Sequence, residues 1–290
     1  MGVGRARRNA RFALPRARRV LARLVMTAPL PPLIPPETLL LAYRSGIFPM
    51  AEARDDVGVF WLEPQMRAVI PLAQFRCSSS LRKAIRQDRF RVTVDTAFDQ
   101  VIRACAGPRS NGDGCWISHQ IEASYIALHR AGHAHSVECW RGDALVGGLY
   151  GVAFDRVFCG ESMFSRADNA SKVALAWLVA LMRIAGYRVL DCQFMTPHLA
   201  SMGAAEIPQA DYLALVDAAA GPPALGLPQA YASVVAGSSA GSGVAEGAGA
   251  GADAGAAGLG ALDPADAPDS PSAAASSPGK RIAQSFTHTS

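Results

Sequence analysis

Asp191 and Gln193 stand two positions apart in an apolar segment, 187–194, whose composition is typical of a β-strand. Side chains alternate across a strand, so both should leave the same face, while Cys192 should point to the opposite face. The acid can carry charge or a proton, and the amide can donate and accept hydrogen bonds. Burying either group is costly without a polar partner, so this pair is the first candidate for a functional site.

The segments before this pair should position it. A strand-like run, 149–158, precedes a tight polar segment, 160–162, and a helix that starts at 168–172. This helix is apolar and ends at Gly186, where the strand of the candidate pair begins. The order strand, loop, helix, strand predicts two parallel neighbouring strands and an α/β (α+β) fold.

Length and composition exclude several classes of protein. With 290 residues and half of them apolar, the chain can bury a sizeable core in one large domain or two. It has no run of about 18 uncharged apolar residues, so no membrane span is predicted. Six scattered cysteines without a CxxC pair, and no convincing signal peptide, favour reduced thiols and a cytoplasmic location.

Basic residues are concentrated in parts of the chain. Residues 1–24 hold eight arginines and no acid, whereas 25–232 hold 18 basic and 19 acidic residues. Within that body, 67–109 carries nine basic residues against three acids. A local excess of this kind predicts a surface patch for a polyanion.

The composition divides the chain into four parts. A basic extension, 1–28, is predicted to be disordered, and we interpret it as sequence upstream of a true start at Met26 rather than as an RNA-binding arm or a transit segment. A small α+β unit follows at 29–75, and the catalytic domain at 76–232. The Gly/Ala/Ser/Pro-rich tail, 233–290, is predicted to be disordered because it offers few large apolar residues.

Other residues that could do chemistry have simpler explanations. His133 and His135 share a strand face, but no further ligands accompany them at metal spacing, so a structural role is favoured. Cys192 alternates away from the candidate pair and is interpreted, like Cys159, as a small buried residue. Ser162 lies outside a GxSxG motif, and no phosphate-binding glycine loop is present.

Several long motifs follow one another in order across about 37–215. They include LLLAYRSGIFPM (39–50), FWLEPQMRAVIPL (60–72), WISHQIEASYIALHRAGHAHSVECW (116–140), FCGESMFSRADNASK (158–172) and LDCQ (190–193). With these motifs the chain resembles the leucyl/phenylalanyl-tRNA–protein transferase family. The resemblance implies an acetyltransferase-like (GNAT-type) mixed sheet with flanking helices, preceded by a small N-terminal domain. It implies transfer of Leu or Phe, and less well Met, from charged tRNA to proteins that begin with Arg or Lys, which marks them for N-degron degradation. It implies no cofactor and no metal.

The resemblance also implies roles for residues. Asp191 and Gln193 resemble the family's catalytic pair, in which the acid polarises the amide and the amide positions the incoming α-amino group. The implied substrate-binding residues are Glu161, Ser162, Met163, Phe158, Trp116 and Trp61. For the last three and Met163, core packing is the competing interpretation. The implied tRNA-binding residues, which otherwise form the solvated face of helix 78–87 and its flanks, are Arg76, Arg82, Lys83, Arg86 and Arg89. Residues 51–60 and Leu62 depart from the family pattern, which affects the expected adenine contacts.

Three alternatives stay open at this point. A related enzyme would transfer leucine to N-terminal Asp or Glu. A CoA-dependent N-acetyltransferase would need a phosphate-binding loop that the sequence lacks. A non-catalytic RNA-binding protein would need only the basic face. The expected partners are Leu-tRNA, Phe-tRNA and acceptor proteins, with no membrane, and a monomer is the expected state.

Overall fold

One large sheet organises the chain in the computed structural model, which describes residues 32–107, 115–239 and 276–287. The strands in this part are β1 (Phe48–Met50), β2 (Phe60–Leu62), β3 (Met66–Ile70), β4 (Arg91–Val94), β5 (Ala134–Arg141), β6 (Ala144–Phe154), β7 (Val157–Ser165), β8 (Val189–Gln193) and β9 (Ala205–Pro208). Seven of them form the large sheet in the order β4-β5-β6-β7-β8-β3-β9, and β1 and β2 form a separate hairpin. Only β7 and β8 are parallel neighbours, so the architecture is mixed α+β with a mostly antiparallel sheet.

Helices cover both faces of the sheet. They are α1 (Pro36–Arg44), α2 (Ser79–Arg86), α3 (Phe98–Cys105), α4 (His119–Arg130), α5 (Ala170–Ala185), α6 (Pro197–Ser201), α7 (Gln209–Ala218), α8 (Leu227–Ser239) and α9 (Pro278–Gln284). One apolar core lies under α2, α5, α8 and α9, and a second lies on the other face under α1, α3, α4 and α7. None of the described helices combines the length and hydropathy that crossing a membrane requires.

Local signals predict several of these elements correctly. Ser78 accepts a hydrogen bond from the Leu81 N–H and so caps α2, as its position before an amphipathic segment predicts. Gly186 ends α5 in the left-handed conformation, with φ of 82°. The predicted parallel arrangement across α5 is confirmed for β7 and β8, but the first strand of the pair is β7 and not the predicted run 149–158.

The predicted strand 149–158 and the predicted loop 160–162 are both wrong. The chain turns at Asp155, whose φ of 49° is left-handed, and then returns as β7 antiparallel to β6. Aspartate tolerates this conformation better than most residues, so it can form the turn inside an otherwise apolar run. Residues 160–162 consequently lie inside β7, where Gly160 and Ser162 pair with β6 and Glu161 is the extra residue at a register shift between them.

The predicted N-terminal unit, 29–75, has a two-stranded sheet of its own, β1–β2, but its last strand belongs to the large sheet. That strand, β3, lies between β8 and β9 and pairs antiparallel with both. Antiparallel partners distant in sequence leave no local signal, which is why the composition suggested a boundary after residue 75. The predicted extension 1–28 lies outside the described residues.

The prediction of disorder for 233–290 is wrong at 233–239, which continue α8, and at 276–287, and the rest of that range lies outside the described residues. The latter segment forms α9, and its Ile282, Ala283 and Phe286 are buried in the core under α2 and α5. Phe286 packs on Phe75 with ring centroids 5.4 Å apart. Three apolar side chains in a short amphipathic turn are enough to dock it, although the surrounding composition is low in complexity.

We predict that Phe286→Ala lowers the free energy of unfolding by about 3 kcal/mol, because it removes a buried aromatic side chain and leaves a cavity. The matched control is Gln284→Ala, an exposed change on the same helix, which should stay within about 0.5 kcal/mol of the parent. Urea unfolding monitored by circular dichroism measures both. Equal stability of the two variants would show that α9 does not contribute to the fold.

Candidate active site

A buried ion pair connects β3 to the end of β8. Arg67 and Asp191 are both 0% exposed, and the guanidinium binds the carboxylate through Nε to Oδ1 at 3.0 Å and Nη2 to Oδ2 at 2.7 Å. Arg67 Nη1 donates to the Gly46 carbonyl at 2.8 Å, and the Tyr212 hydroxyl donates to Asp191 Oδ2 at 3.3 Å. A buried pair is tolerated only when its hydrogen bonds are satisfied in this way.

Asp191 also holds the backbone of Gln193. The Gln193 N–H donates to Asp191 Oδ1 at 2.8 Å, and the Phe194 N–H closes a three-residue turn onto the Cys192 carbonyl at 2.7 Å. Gln193 has a φ of 62°, a left-handed conformation that costs a non-glycine residue about 1–2 kcal/mol. Backbone strain of this kind is typical of functional sites, where the surrounding contacts enforce it.

The side chain of Gln193 binds Glu161 rather than Asp191. Its Nε2 donates to Glu161 Oε1 at 2.7 Å, and Tyr125 donates to Glu161 Oε2 at 3.5 Å. Tyr43 in turn contacts the Tyr125 hydroxyl. Burial raises the pKa of Glu161 to about 7, although its hydrogen bonds to neighbouring groups oppose that shift. The carboxyl group therefore titrates near neutral pH, where a proton-handling group is most useful.

A cavity of about 600 Å³ opens where β7 and β8 separate. The two strands pair only between 157–159 and 189–191, although β7 continues to Ser165. Glu161 and Gln193 therefore lie on the two walls of the resulting gap and line the cavity.

The residues that line the cavity come from the cores on both faces of the sheet, and we call these two groups of lining residues the two lobes of the cavity. Its apolar lobe lies toward α5 and is lined by Leu149, Met163, Leu175, Leu178, Leu190 and Leu199. Its second lobe lies on the opposite face of the sheet and is lined by Met50, Cys105, Trp116, Tyr150 and Glu161. An apolar chamber that adjoins a few placed polar groups is the usual form of a small-molecule site.

The structure separates the predicted substrate-binding residues. Glu161, Ser162, Met163 and Trp116 line the cavity with Gln193. Phe158 does not line it, and its side chain packs in the core under α5. Trp61 does not line it either, because it lies on the β1–β2 hairpin and is 41% exposed.

The predicted tRNA-binding residues lie together on α2 and its flanks. Arg76, Lys83, Arg86 and Arg89 are exposed, and Arg82 is half-buried. The histidine pair is accounted for separately: His135 Nδ1 lies 2.7 Å from Asp95 Oδ2. Among the described residues, no group of three or more His, Cys, Asp or Glu could hold a metal ion.

Sequence reasoning missed the residues that support the candidate pair. Arg67 was counted only among the basic residues of 67–109, although a single cation among the apolar residues of β3 is itself a signal of a buried partner. Tyr43, Tyr125 and Tyr212 carried no signal, because a tyrosine in an apolar helix pattern is equally typical of core packing.

Comparison with known proteins identifies the family of the chain. The family model "Leucyl/phenylalanyl-tRNA protein transferase" matches residues 69–217, and the model of that enzyme's N-terminal domain matches 34–65. A leucyl/phenylalanyl-tRNA–protein transferase of Novosphingobium aromaticivorans is 54% identical over 260 residues, which are 90% of this chain and 98% of that protein. The Rhizorhabdus wittichii enzyme of the same name is 57% identical over 188 residues, which are 65% of this chain and 76% of that one.

Among solved structures, L-PGS from Bacillus licheniformis is 14% identical over 57% of this chain and 55% of that chain. Its TM-score is 0.32, too low to define the fold. The sequence relatives place the chain in the class of aminoacyltransferases that use charged tRNA. The chain belongs to the leucyl/phenylalanyl-tRNA–protein transferase family, and the resemblance of its motifs is confirmed.

We predict that Arg67→Met destabilises the protein by about 3–5 kcal/mol, because it leaves the Asp191 carboxylate buried without its cation. The double variant Arg67→Met/Asp191→Asn removes both charges and should recover part of this loss. Urea unfolding of the parent, Arg67→Met, Asp191→Asn and the double variant measures the coupling. A double variant that is less stable than the single one by the full cost of Asp191→Asn would show that the two side chains act independently.

Glu161 should make stability depend on pH. Its folded pKa of about 7 lies above the ordinary value of 4.5, so between these values the folded protein holds a proton that the unfolded chain has released. Stability should therefore fall as the pH rises through this window, by up to about 3 kcal/mol for a shift of this size. Glu161→Gln lacks this titration, so its stability relative to the parent should be higher at pH 8 than at pH 5. If the free energies of unfolding of the parent and of Glu161→Gln changed equally with pH, the raised pKa of Glu161 would be contradicted.

Proposed function

We propose that the chain transfers Leu or Phe, and less well Met, from aminoacyl-tRNA to the α-amino group of proteins that begin with Arg or Lys. The observation that carries this proposal is the two-lobed cavity, in which an apolar chamber meets the Glu161–Gln193 pair. Leu-tRNA and Phe-tRNA are the donors, and N-degron degradation of the product is the biological outcome.

The apolar lobe receives the donor side chain. Its walls are mostly leucine and methionine side chains, which are flexible enough to fit an unbranched, γ-branched or aromatic group. A β-branched side chain would be crowded near its backbone. Selectivity of this kind is worth only about 1–3 kcal/mol, so several apolar amino acids should be accepted at different rates.

The second lobe receives the acceptor. The Glu161 carboxylate attracts the α-ammonium group of the acceptor and the cationic side chain of an N-terminal Arg or Lys. An acceptor that begins with Asp or Glu would bring a like charge toward the same carboxylate, which is unfavourable in a partly desolvated site. The acid in this lobe thus favours Arg and Lys over the acidic alternative.

The reaction requires orientation and proton handling more than strong activation, because the ester is already reactive. The α-ammonium group loses one proton to the Glu161 carboxylate, and the free amine attacks the ester carbonyl. The new C–N bond forms as the C–O bond to the ribose breaks, and the departing oxygen takes the second nitrogen proton. Gln193 donates to Glu161 through Nε2, so its Oε1 can accept from the amine and orient it.

Asp191 acts on this chemistry indirectly. Its carboxylate is neutralised by Arg67 and holds the Gln193 backbone, so its role is to position the amide. In this proposal the acid beside the reacting nitrogen is Glu161, which revises the expectation that Asp191 polarises the amide.

The remaining features of the proposal concern the wider protein. The basic face of α2 binds phosphates of the tRNA, so binding should depend on salt and little on sequence. The fold is proposed to be of the GNAT type, since a parallel β7–β8 pair separates around the substrate cavity. We further propose that the enzyme works as a cytoplasmic monomer without a cofactor, because the charged tRNA supplies an activated ester.

We predict that the protein transfers labelled phenylalanine from Phe-tRNA to a peptide that begins with Arg, and much less to a matched peptide that begins with Asp. Gln193→Ala should lower kcat/KM for the Arg peptide roughly 10–100-fold, because orientation of the amine is lost. The control Gln100→Ala changes an exposed glutamine on α3 and should match the parent. Transfer only to the Asp peptide would overturn the acceptor assignment, and tRNA binding without any transfer would favour a pure RNA-binding protein.

A further inference from the structure

The C-terminal helix α9 is docked at the end of the basic helix α2. The Gly279 N–H donates to Asp88 Oδ1 at 2.9 Å. A side chain at Gly279 would overlap both Asp88 and the Ile85 carbonyl, so only glycine allows this close approach. The first turn of α9 therefore lies directly against the last turn of α2 and the residues that follow it.

This docking changes the charge of the surface. Residues 76–91 carry six cations, namely Arg76, Arg82, Lys83, Arg86, Arg89 and Arg91, and a single acid, Asp88. Residues 276–287 add Lys280 and Arg281, both exposed, and no acid. The backbone N–H of Gly279 in α9 binds the carboxylate of Asp88, the single acid of residues 76–91. At the same time α9 adds two cations to this surface.

The two added cations are not needed to hold α9 in place. Its docking rests on the buried side chains of Ile282, Ala283 and Phe286, and on the Arg183 guanidinium, which donates to the Ser285 carbonyl at 3.0 Å. Lys280 forms no ion pair among the described residues. Arg281 lies against Gly237 of α8, so Lys280 is the clearer indicator of a function beyond packing.

We propose that α9 is part of the RNA-binding surface, with Lys280 and Arg281 extending the α2 face and contacting phosphates of the tRNA. The proposal rests on the proposed function only in naming tRNA as the polyanion. A lysine that contacts one phosphate contributes to affinity through counterion release, so its loss lowers the dependence of binding on salt.

The test uses the full chain and two variants with the same change in charge. Lys280→Glu alters the docked helix, whereas Arg130→Glu alters an exposed arginine at the end of α4, over the opposite face of the sheet. Binding of uncharged tRNA is measured by fluorescence anisotropy at several salt concentrations. Lys280→Glu should weaken binding roughly fivefold near physiological salt and reduce the log–log salt slope by about 1, and Arg130→Glu should change neither.

The outcomes separate this proposal from the proposed function. Equal binding by Lys280→Glu and Arg130→Glu, whether both normal or both weakened, would overturn a local role for α9. Unchanged thermal unfolding of Lys280→Glu shows that α9 remains docked, so a selective loss of tRNA binding then supports the contact. In the transfer assay, the same variant should raise KM for Phe-tRNA with kcat unchanged. If the parent transfers no amino acid, but Lys280→Glu still binds tRNA selectively more weakly than the parent, the proposed RNA-binding surface is supported and the transferase proposal fails.

Discussion

The buried ion pair of Arg67 and Asp191 is the contact on which the site depends. It joins β3 to the end of β8, which are 124 residues apart in sequence, and both side chains lie out of contact with solvent. Two desolvated charges contribute little net stability, but their bidentate geometry allows only one relative placement of the strands. Because Asp191 also accepts from the Gln193 N–H, this placement extends to the strained turn that presents the Gln193 side chain.

The separation of two parallel strands then produces the cavity. Past residue 159, β7 diverges from β8, and the gap exposes side chains from the cores on both faces of the sheet. The apolar lobe and the second lobe therefore meet at Glu161 and Gln193, and the described residues include no group that could hold a metal ion there. Family membership and this geometry agree, since joining an apolar aminoacyl group to an amine requires adjacent places for both.

Much of the fold follows from local patterns. The Ser78 cap, the apolar periodicity of α5 and its end at Gly186, and the β5–β6 hairpin are all encoded within a few residues of where they act. The predictions from sequence are wrong where contacts between residues far apart in the chain determine the structure. Asp155 turns the chain inside an apolar run, and α9 docks from within a low-complexity tail because Phe286 reaches a core built by other segments.

In the candidate site, too, some features follow from the sequence alone and others depend on contacts between distant residues. Sequence alone determined the family, and it singled out Asp191 and Gln193 as candidates and predicted the basic face of α2, since these are carried by residue types and spacing. Only the tertiary structure decided that Arg67 neutralises Asp191, that Glu161 holds the Gln193 amide, and that Phe158 and Trp61 do not line the cavity. Those choices depend on strand register and burial, and side chains brought together across a sheet have no fixed spacing along the chain.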